Sequence, residues 1–222
     1  MFFSKVELRR ESDILARAAH MVTRDGYRLH QALWQLFQTP TATPRDFLYR
    51  RLEAARWPSF YVISARQPVD TQGVWAIQSK PYAPQLAAGQ RLAFALCANP
   101  VVTKPGPRGK PMRHDVVMNA KQQRQVQDEA AMAMGELIEQ VGRTWLEARA
   151  ESHGFRLEQV RVDGYRQHQF RKARGEQRIR LSTLDFNGLL TVLDAEQLRH
   201  TLFTGVGPAK GFGCGLLLVR RV

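Results

Sequence analysis

The segment Asp25-Gly26-Tyr27-Arg28-Leu29-His30-Gln31-Ala32-Leu33-Trp34-Gln35-Leu36-Phe37 sets a phenol and an imidazole three residues apart. At about 100° per residue, a helix over residues 27–38 gathers Leu29, Ala32, Leu33 and Leu36 into one apolar stripe. Asp25 is suited to cap its start. Arg28, Gln31, Gln35 and Gln38 take the opposite, wet face, and Tyr27, His30 and Trp34 share the shoulder between. Imidazole titrates near neutrality, so it can take a proton from a hydroxyl or give one to a departing oxygen. A phenol beside it can orient the nucleophile or hydrogen-bond a phosphate. The pair suits metal-free attack of a ribose 2′-hydroxyl on its neighbouring phosphate. The spacing alone is equally that of a half-buried helix histidine beside a boundary aromatic, the commoner use of such a pair.

A second feature is the run Gly205-Val206-Gly207-Pro208-Ala209-Lys210-Gly211-Phe212-Gly213-Cys214-Gly215-Leu216-Leu217. Glycine permits positive φ and close backbone approach, so such a loop can turn N–H groups toward phosphate oxygens. Lys210 adds a point charge. Gly207, Lys210, Gly211 and Gly213 are therefore candidate phosphate contacts. The run is not a Walker loop, because it follows a helix and enters a strand. A tight helix-to-strand turn explains the same glycines, and the two readings are compatible.

The net charge of +13 favours a polyanionic partner. Two clusters carry much of it. Lys104, Arg108, Lys110 and Arg113 lie in a Gly/Pro-rich loop opposed only by Asp115. Arg161, Arg166, Arg171, Lys172 and Arg174 stud a stretch read as a hairpin, whose planar guanidinium forks suit phosphate and base edges. These nine residues are candidate nucleic-acid contacts; a solvated basic surface is the alternative. His114 and His168 fall within the two clusters.

No apolar stretch approaches the length needed to span a bilayer, and the first ten residues turn charged too soon for a signal peptide. Cys97 and Cys214 lack metal-ligand spacing, and the six histidines form no HxH or HxxxH pair. No metal, cofactor or disulfide framework is expected, which suits a cytoplasmic protein.

The elements that must position these residues read as α+β. Strands are expected at 2–9, 46–52, 59–66, 73–79 and 90–97, with Leu92–Thr103 as a strand crossing into a second domain. Residues 121–151 have helical composition, and Gly154 is suited to the left-handed stop. Segments 155–162 and 164–172 read as a hairpin about an Asp163-Gly164 type I′ turn. Strand 178–192, helix 194–203 and strand 214–221 follow. The order gives two tandem ferredoxin-like (βαββαβ) domains, 1–95 with the Tyr27/His30 helix and 96–222 with the basic hairpin and glycine-rich loop.

Taken together, Phe3-Ser4-Lys5-Val6, the Tyr27–Trp34 helix, Asp46-Phe47-Leu48-Tyr49-Arg50, Asn99-Pro100, Phe186–Leu190 and the closing glycine-rich run resemble the CasE family. These are CRISPR repeat endoribonucleases of the RAMP group, and the resemblance runs nearly end to end. It implies tandem ferredoxin-like domains and metal-independent cleavage of precursor CRISPR RNA at the 3′ base of a repeat hairpin. It implies His30 as general acid–base and Tyr27 as its assistant, with the glycine-rich loop and basic segments holding the stem. It further implies a protein, monomeric when free, that stays on its crRNA and joins other Cascade subunits. The proline-rich Thr103–Pro107 loop and the Glu11–Thr23 stretch depart from the pattern, so contacts transfer less directly there. A non-catalytic subunit that binds an RNA hairpin, and a DNA-binding or ribosomal-type basic protein, are the competing readings.

Overall fold

The computed structural model describes residues 1–11, 26–37, 45–52, 55, 57–106, 109–127, 132–171 and 178–222, with the side chains of 26–28, 30, 171 and 178 outside that description. Asp25, the Glu11–Thr23 stretch beyond its first residue, and the Pro/Thr loop at 39–44 lie outside it too.

Strand β1 (Phe2–Leu8) alternates as a half-buried strand should, with Ser4, Val6 and Leu8 buried. It is central in a first sheet, flanked antiparallel by β3 (Ser59–Ser64) and β4 (Trp75–Pro81), with β2 (Phe47–Arg51) outside β3. Helix α1 (Gly26–Trp34) connects β1 to β2. Its stripe Leu29, Ala32 and Leu33, continued by Leu36 and Phe37, is buried against Val6, Leu8, Phe60 and Trp75. Phe37 stacks on Phe47 at 4.4 Å, and Trp34 meets the same ring edge-on at 5.3 Å. The expected helix to residue 38 ends at Trp34 in a turn. The crossover from β3 to β4, residues 65–74, carries no helix; the Asp70 carboxylate instead pins it, accepting from Gln72 N and Trp75 N at 3.0 and 2.6 Å.

The second sheet has strand order β10-β5-β9-β8, all antiparallel. Its members are β5 (Arg91–Ala98), β8 (Phe155–Arg171), β9 (Arg178–Val192) and β10 (Leu217–Arg221). Helices α2 (Val116–Val126), α3 (Met134–Ala150) and α4 (Ala195–Thr204) complete a ferredoxin-like unit. Trp145 of α3 stacks on Phe186 at 5.9 Å and donates its indole N–H to the Val101 carbonyl at 3.2 Å.

Several sequence expectations need correction. Leu92–Thr103 is two strands. β5 stops at Ala98, Asn99-Pro100 breaks the ladder, and β6 (Val101–Pro105) pairs with β7 (Pro111–Asp115) as a separate ribbon. The residue-95 division falls inside β5, whose eight residues all pair with β9 in the second sheet. The single helix over 121–151 is two, and the first starts earlier because Asp115 caps it, accepting from Val117 N and Met118 N at 2.7 and 3.0 Å.

Asp163-Gly164 is not a hairpin turn. β8 runs straight through it, and the ribbon it makes is with β9. Between Asp163 and Arg166 β8 holds one more residue than β9, a bulge in which Gly164 takes φ +64°. A Cβ there would lie 2.6 Å from Asp185 Oδ2. The bulge reverses the faces of the strand. Tyr165 turns toward the helices and donates to Asp115 Oδ2 at 2.8 Å, while Arg166 takes the open face and meets Asp185 at 3.1 Å.

Leu48 and Ile63 of the first sheet bury against Leu216, beside Phe203 and Leu218, and Arg50 reaches Asp185 at 3.2 Å. The units thus join through an apolar seam and an ion pair.

Candidate functional site

Helix α1 is held with its Leu29/Leu33 stripe on the first sheet. The same helix touches the turn Lys210–Phe212 and strand β8 of the second unit. The fold therefore brings three features found separately in the sequence to one junction: the Tyr27/His30 helix, the glycine-rich run and the basic ribbon. The Tyr27 and His30 side chains lie outside the described residues.

The glycine-rich run forms a compact double bend. Gly205, Gly207, Gly213 and Gly215 all have positive φ, between 77° and 90°, and Ala209 joins them at 57°. Packing explains two of the candidate contacts. An added Cβ on Gly207 would meet the Trp145 ring at 3.1 Å, and one on Gly213 the Tyr49 ring at 3.0 Å. The Tyr49 hydroxyl donates to the Gly211 carbonyl at 2.9 Å, tying the turn to β2. Burial pushes the Tyr49 phenol above its ordinary pKa, so it stays a neutral donor. Lys210 is half-buried here, and burial followed by the nearby Arg45 charge lowers its pKa. Cys214 and Cys97 are free, and the Cys97 thiol raises the pKa of buried Cys214.

The basic residues do not form one patch. Lys104 and Arg113 sit on β6 and β7 in register with Met112 and Thr103, which places them on opposite faces of the ribbon. Lys110 is exposed near its tip, and Arg108 lies outside the described residues. Arg161 is exposed and pairs with Asp163 at 3.0 Å. Arg166 is engaged by Asp185. The side chain of Arg171, and Lys172 and Arg174 entirely, lie outside the described residues.

Sequence reasoning missed what sits between these charges. A cavity of about 770 Å³ opens between β7, the far ends of β8 and β9, and the glycine-rich turn, lined by Arg113, Arg180, Gln167, Ser182 and Phe212 among others. Beside it three rings stack in series: His168 on Phe170 at 5.8 Å, and Phe170 on Phe212 at 5.2 Å with only 4° between planes. The period-2 spacing of His168 and Phe170 was the available signal, hidden because the misplaced turn reversed the faces. His168 Nε2 is also 2.9 Å from Thr183 Oγ1. Bases stack on such rings and phosphates pair with such guanidiniums.

Two antiparallel sheets of one strand order, a helix bearing an imidazole, and a basic ribbon beside a glycine-rich turn define a tandem ferredoxin-like α+β protein. The chain belongs to the CRISPR associated protein family, whose model matches residues 1–221. It is 34% identical over 219 residues to the CRISPR system Cascade subunit CasE of Escherichia coli (strain K12), covering 98% of each chain. To the CRISPR-associated endoribonuclease Cse3 of Thermus thermophilus it is 31% identical, over 92% of this chain and 94% of that one. The solved structure of Thermus thermophilus Cse3 bound to an RNA representing a pre-cleavage complex superposes with a TM-score of 0.71 at 26% identity, over 99% of this chain and 98% of that chain.

Proposed function

We propose that this protein is a metal-independent endoribonuclease that cleaves precursor CRISPR RNA at the 3′ base of the repeat hairpin. It then stays on the crRNA as a cytoplasmic Cascade subunit. The observation that carries the reading is the junction itself. The helix bearing Tyr27 and His30 lies against the glycine-rich turn and β8, where an RNA strand would find a proton-transfer group, cations and stacking rings together. Support comes also from two relatives with near-complete overlap, one named a Cascade subunit and the other a CRISPR-associated endoribonuclease.

The 2′-oxygen of the nucleotide before the cut bonds to phosphorus as the P–O5′ bond breaks. His30 takes the 2′-hydroxyl proton or supplies one to the departing 5′-oxygen, and Tyr27 orients the attacking group. The products are a 2′,3′-cyclic phosphate and a 5′-hydroxyl, with no water consumed. On the grip, we assign the stem to Lys104, Arg108, Lys110, Arg113, Arg161, Arg166, Arg171, Lys172 and Arg174. Gly207, Gly211 and Gly213 shape the turn that presents Lys210.

The test is incubation with a CRISPR repeat RNA in EDTA, beside a copy carrying a 2′-deoxyribose at the cut. Cleavage of the ribose form alone is expected. Tight binding without cleavage of either would leave a hairpin-binding subunit, and preference for duplex DNA would overturn RNA recognition altogether.

A further inference from the structure

Arg45 and Lys210 come from different units and lie within electrostatic reach of one another, with Arg45 also in reach of the Tyr49 phenol. Arg45 lies two residues before the strand that carries Tyr49, and Lys210 opens the turn whose Gly211 carbonyl accepts from the Tyr49 hydroxyl. Both cations are partly withdrawn from water, and each lies within electrostatic reach of another group in this cluster. No carboxylate among the described residues neutralises them. The adjacent Asp46 is turned away into a two-pronged pair with Arg66, at 2.7 and 3.0 Å. Arg45 Nε is buried and makes no hydrogen bond to any described residue. Two like charges held together with an orphaned charged N–H describe a site built for an anion. Helix α1 lies near both parts. It touches the Lys210–Phe212 turn, and its Trp34 packs on Phe47, two residues beyond Arg45.

We propose that Arg45 and Lys210 form a two-cation clamp on the non-bridging oxygens of the scissile RNA phosphate. This rests on the endoribonuclease reading and names the group that meets the charge that reading generates. As the 2′-oxygen bonds to phosphorus, negative charge accumulates on those oxygens before the 5′-oxygen leaves with its proton. A guanidinium and an ammonium fixed in a half-dry site stabilise that charge more than they stabilise the ground state. The Tyr49–Gly211 hydrogen bond holds the two halves of the clamp in register, which makes Tyr49 a positioning residue.

The experiment is single-turnover cleavage of repeat RNA at saturating protein in EDTA, for wild type, Arg45→Ala, Arg45→Lys, Lys210→Ala and the double alanine variant. It is paired with affinity for uncleavable 2′-deoxy RNA bearing either the ordinary phosphate or an uncharged methylphosphonate at the linkage mapped from wild-type products. Each alanine variant should cut roughly a hundred-fold more slowly, with Arg45→Lys between it and wild type. Wild type should bind the methylphosphonate RNA more weakly, and that gap should close in the double variant. Wild-type cleavage rates in both single alanine variants would overturn the clamp. So would a general loss of affinity that leaves the gap unchanged, which would make the pair structural. Failure of wild type to cut any repeat RNA would overturn the endoribonuclease reading and the clamp with it, whereas cleavage by wild type without a gap would overturn the clamp alone.

Discussion

Among the described residues, the first unit has a nine-residue helix between β1 and β2 and joins β3 to β4 through residues 65–74 without a helix, while the second carries three helices and a sheet whose edge ribbon is built from strands of 17 and 15 residues. Both sheets keep the same order, with the fourth strand beside the first and the third between first and second. The first unit is packed by aromatics, Phe37, Phe47, Phe60 and Trp75 among them, and carries the helix proposed for the chemistry. The larger unit supplies reach: the β6–β7 ribbon, the long β8–β9 hairpin and the glycine-rich turn. One strand order is used twice, with the longer strands in the second unit. The contacts that matter most are those where the two halves meet.

That comparison can be broken by deleting one group from each half. Leu33 and Leu146 are both fully buried, each under its own helix. Truncation to alanine should cost about 2–5 kcal/mol in either case. If the halves fold as one body, urea melts of both variants will show a single transition; a second transition in Leu33→Ala alone would make the first unit an independent folding unit. Next in size is Asp185→Ala, which strands Arg50 at the junction and frees Arg166. The Arg50 and Asp185 side chains are only 16% and 15% exposed. A loss of roughly 3 kcal/mol is expected, read from the urea midpoint, and a loss below about 0.5 kcal/mol would make the pair a surface interaction.

Smaller effects sharpen the picture of the ribbon. Gly164→Val forces a β-branched side chain into a positive-φ bulge and against Asp185, at about 1–3 kcal/mol. Placing Asn there instead should recover part of that loss. Tyr165→Phe should cost about 1 kcal/mol through its lost bond to Asp115. Burial, followed by the Asp115 carboxylate, pushes the Tyr165 phenol up to about 12. An acid whose folded pKa is raised favours the folded state while neutral. That contribution is complete below the unfolded value near 10 and is lost as pH climbs through 12. The stability difference between wild type and Tyr165→Phe should therefore shrink between about pH 10 and 12, as urea melts at stepped pH will record.

Much of the fold was legible because period and punctuation agreed. The apolar stripe Leu29–Leu36, the alternation of β1 and the helix at 195–204 all follow local rules that the packed protein keeps. What escaped the sequence was tertiary choice between local options. Asp163-Gly164 is a strong turn pair, but its backbone serves a bulge because long pairing with β9 outweighs a two-residue turn. Asp115 looked like a lone acid in a basic loop and is a helix cap that also receives Tyr165. Of the candidate site, the glycine-rich run was legible as a turn, while the Tyr27 and His30 side chains lie outside the described residues. The Arg45–Lys210 meeting and the His168–Phe170–Phe212 stack were not legible. Arg45 with Lys210, and Phe170 with Phe212, are more than forty positions apart, and local spacing reports neither meeting; it offers only the His168–Phe170 alternation.

On the proposed function, His30 moves a proton and holds neither the fold nor the RNA. The direct measurement is single-turnover cleavage of repeat RNA by His30→Ala in EDTA, with affinity for the uncleavable 2′-deoxy hairpin measured on the same preparation. Cleavage should fall by at least about a thousand-fold, with hairpin affinity within about two-fold of wild type. Wild-type cleavage by His30→Ala, or a loss of affinity matching the loss of rate, would contradict the account.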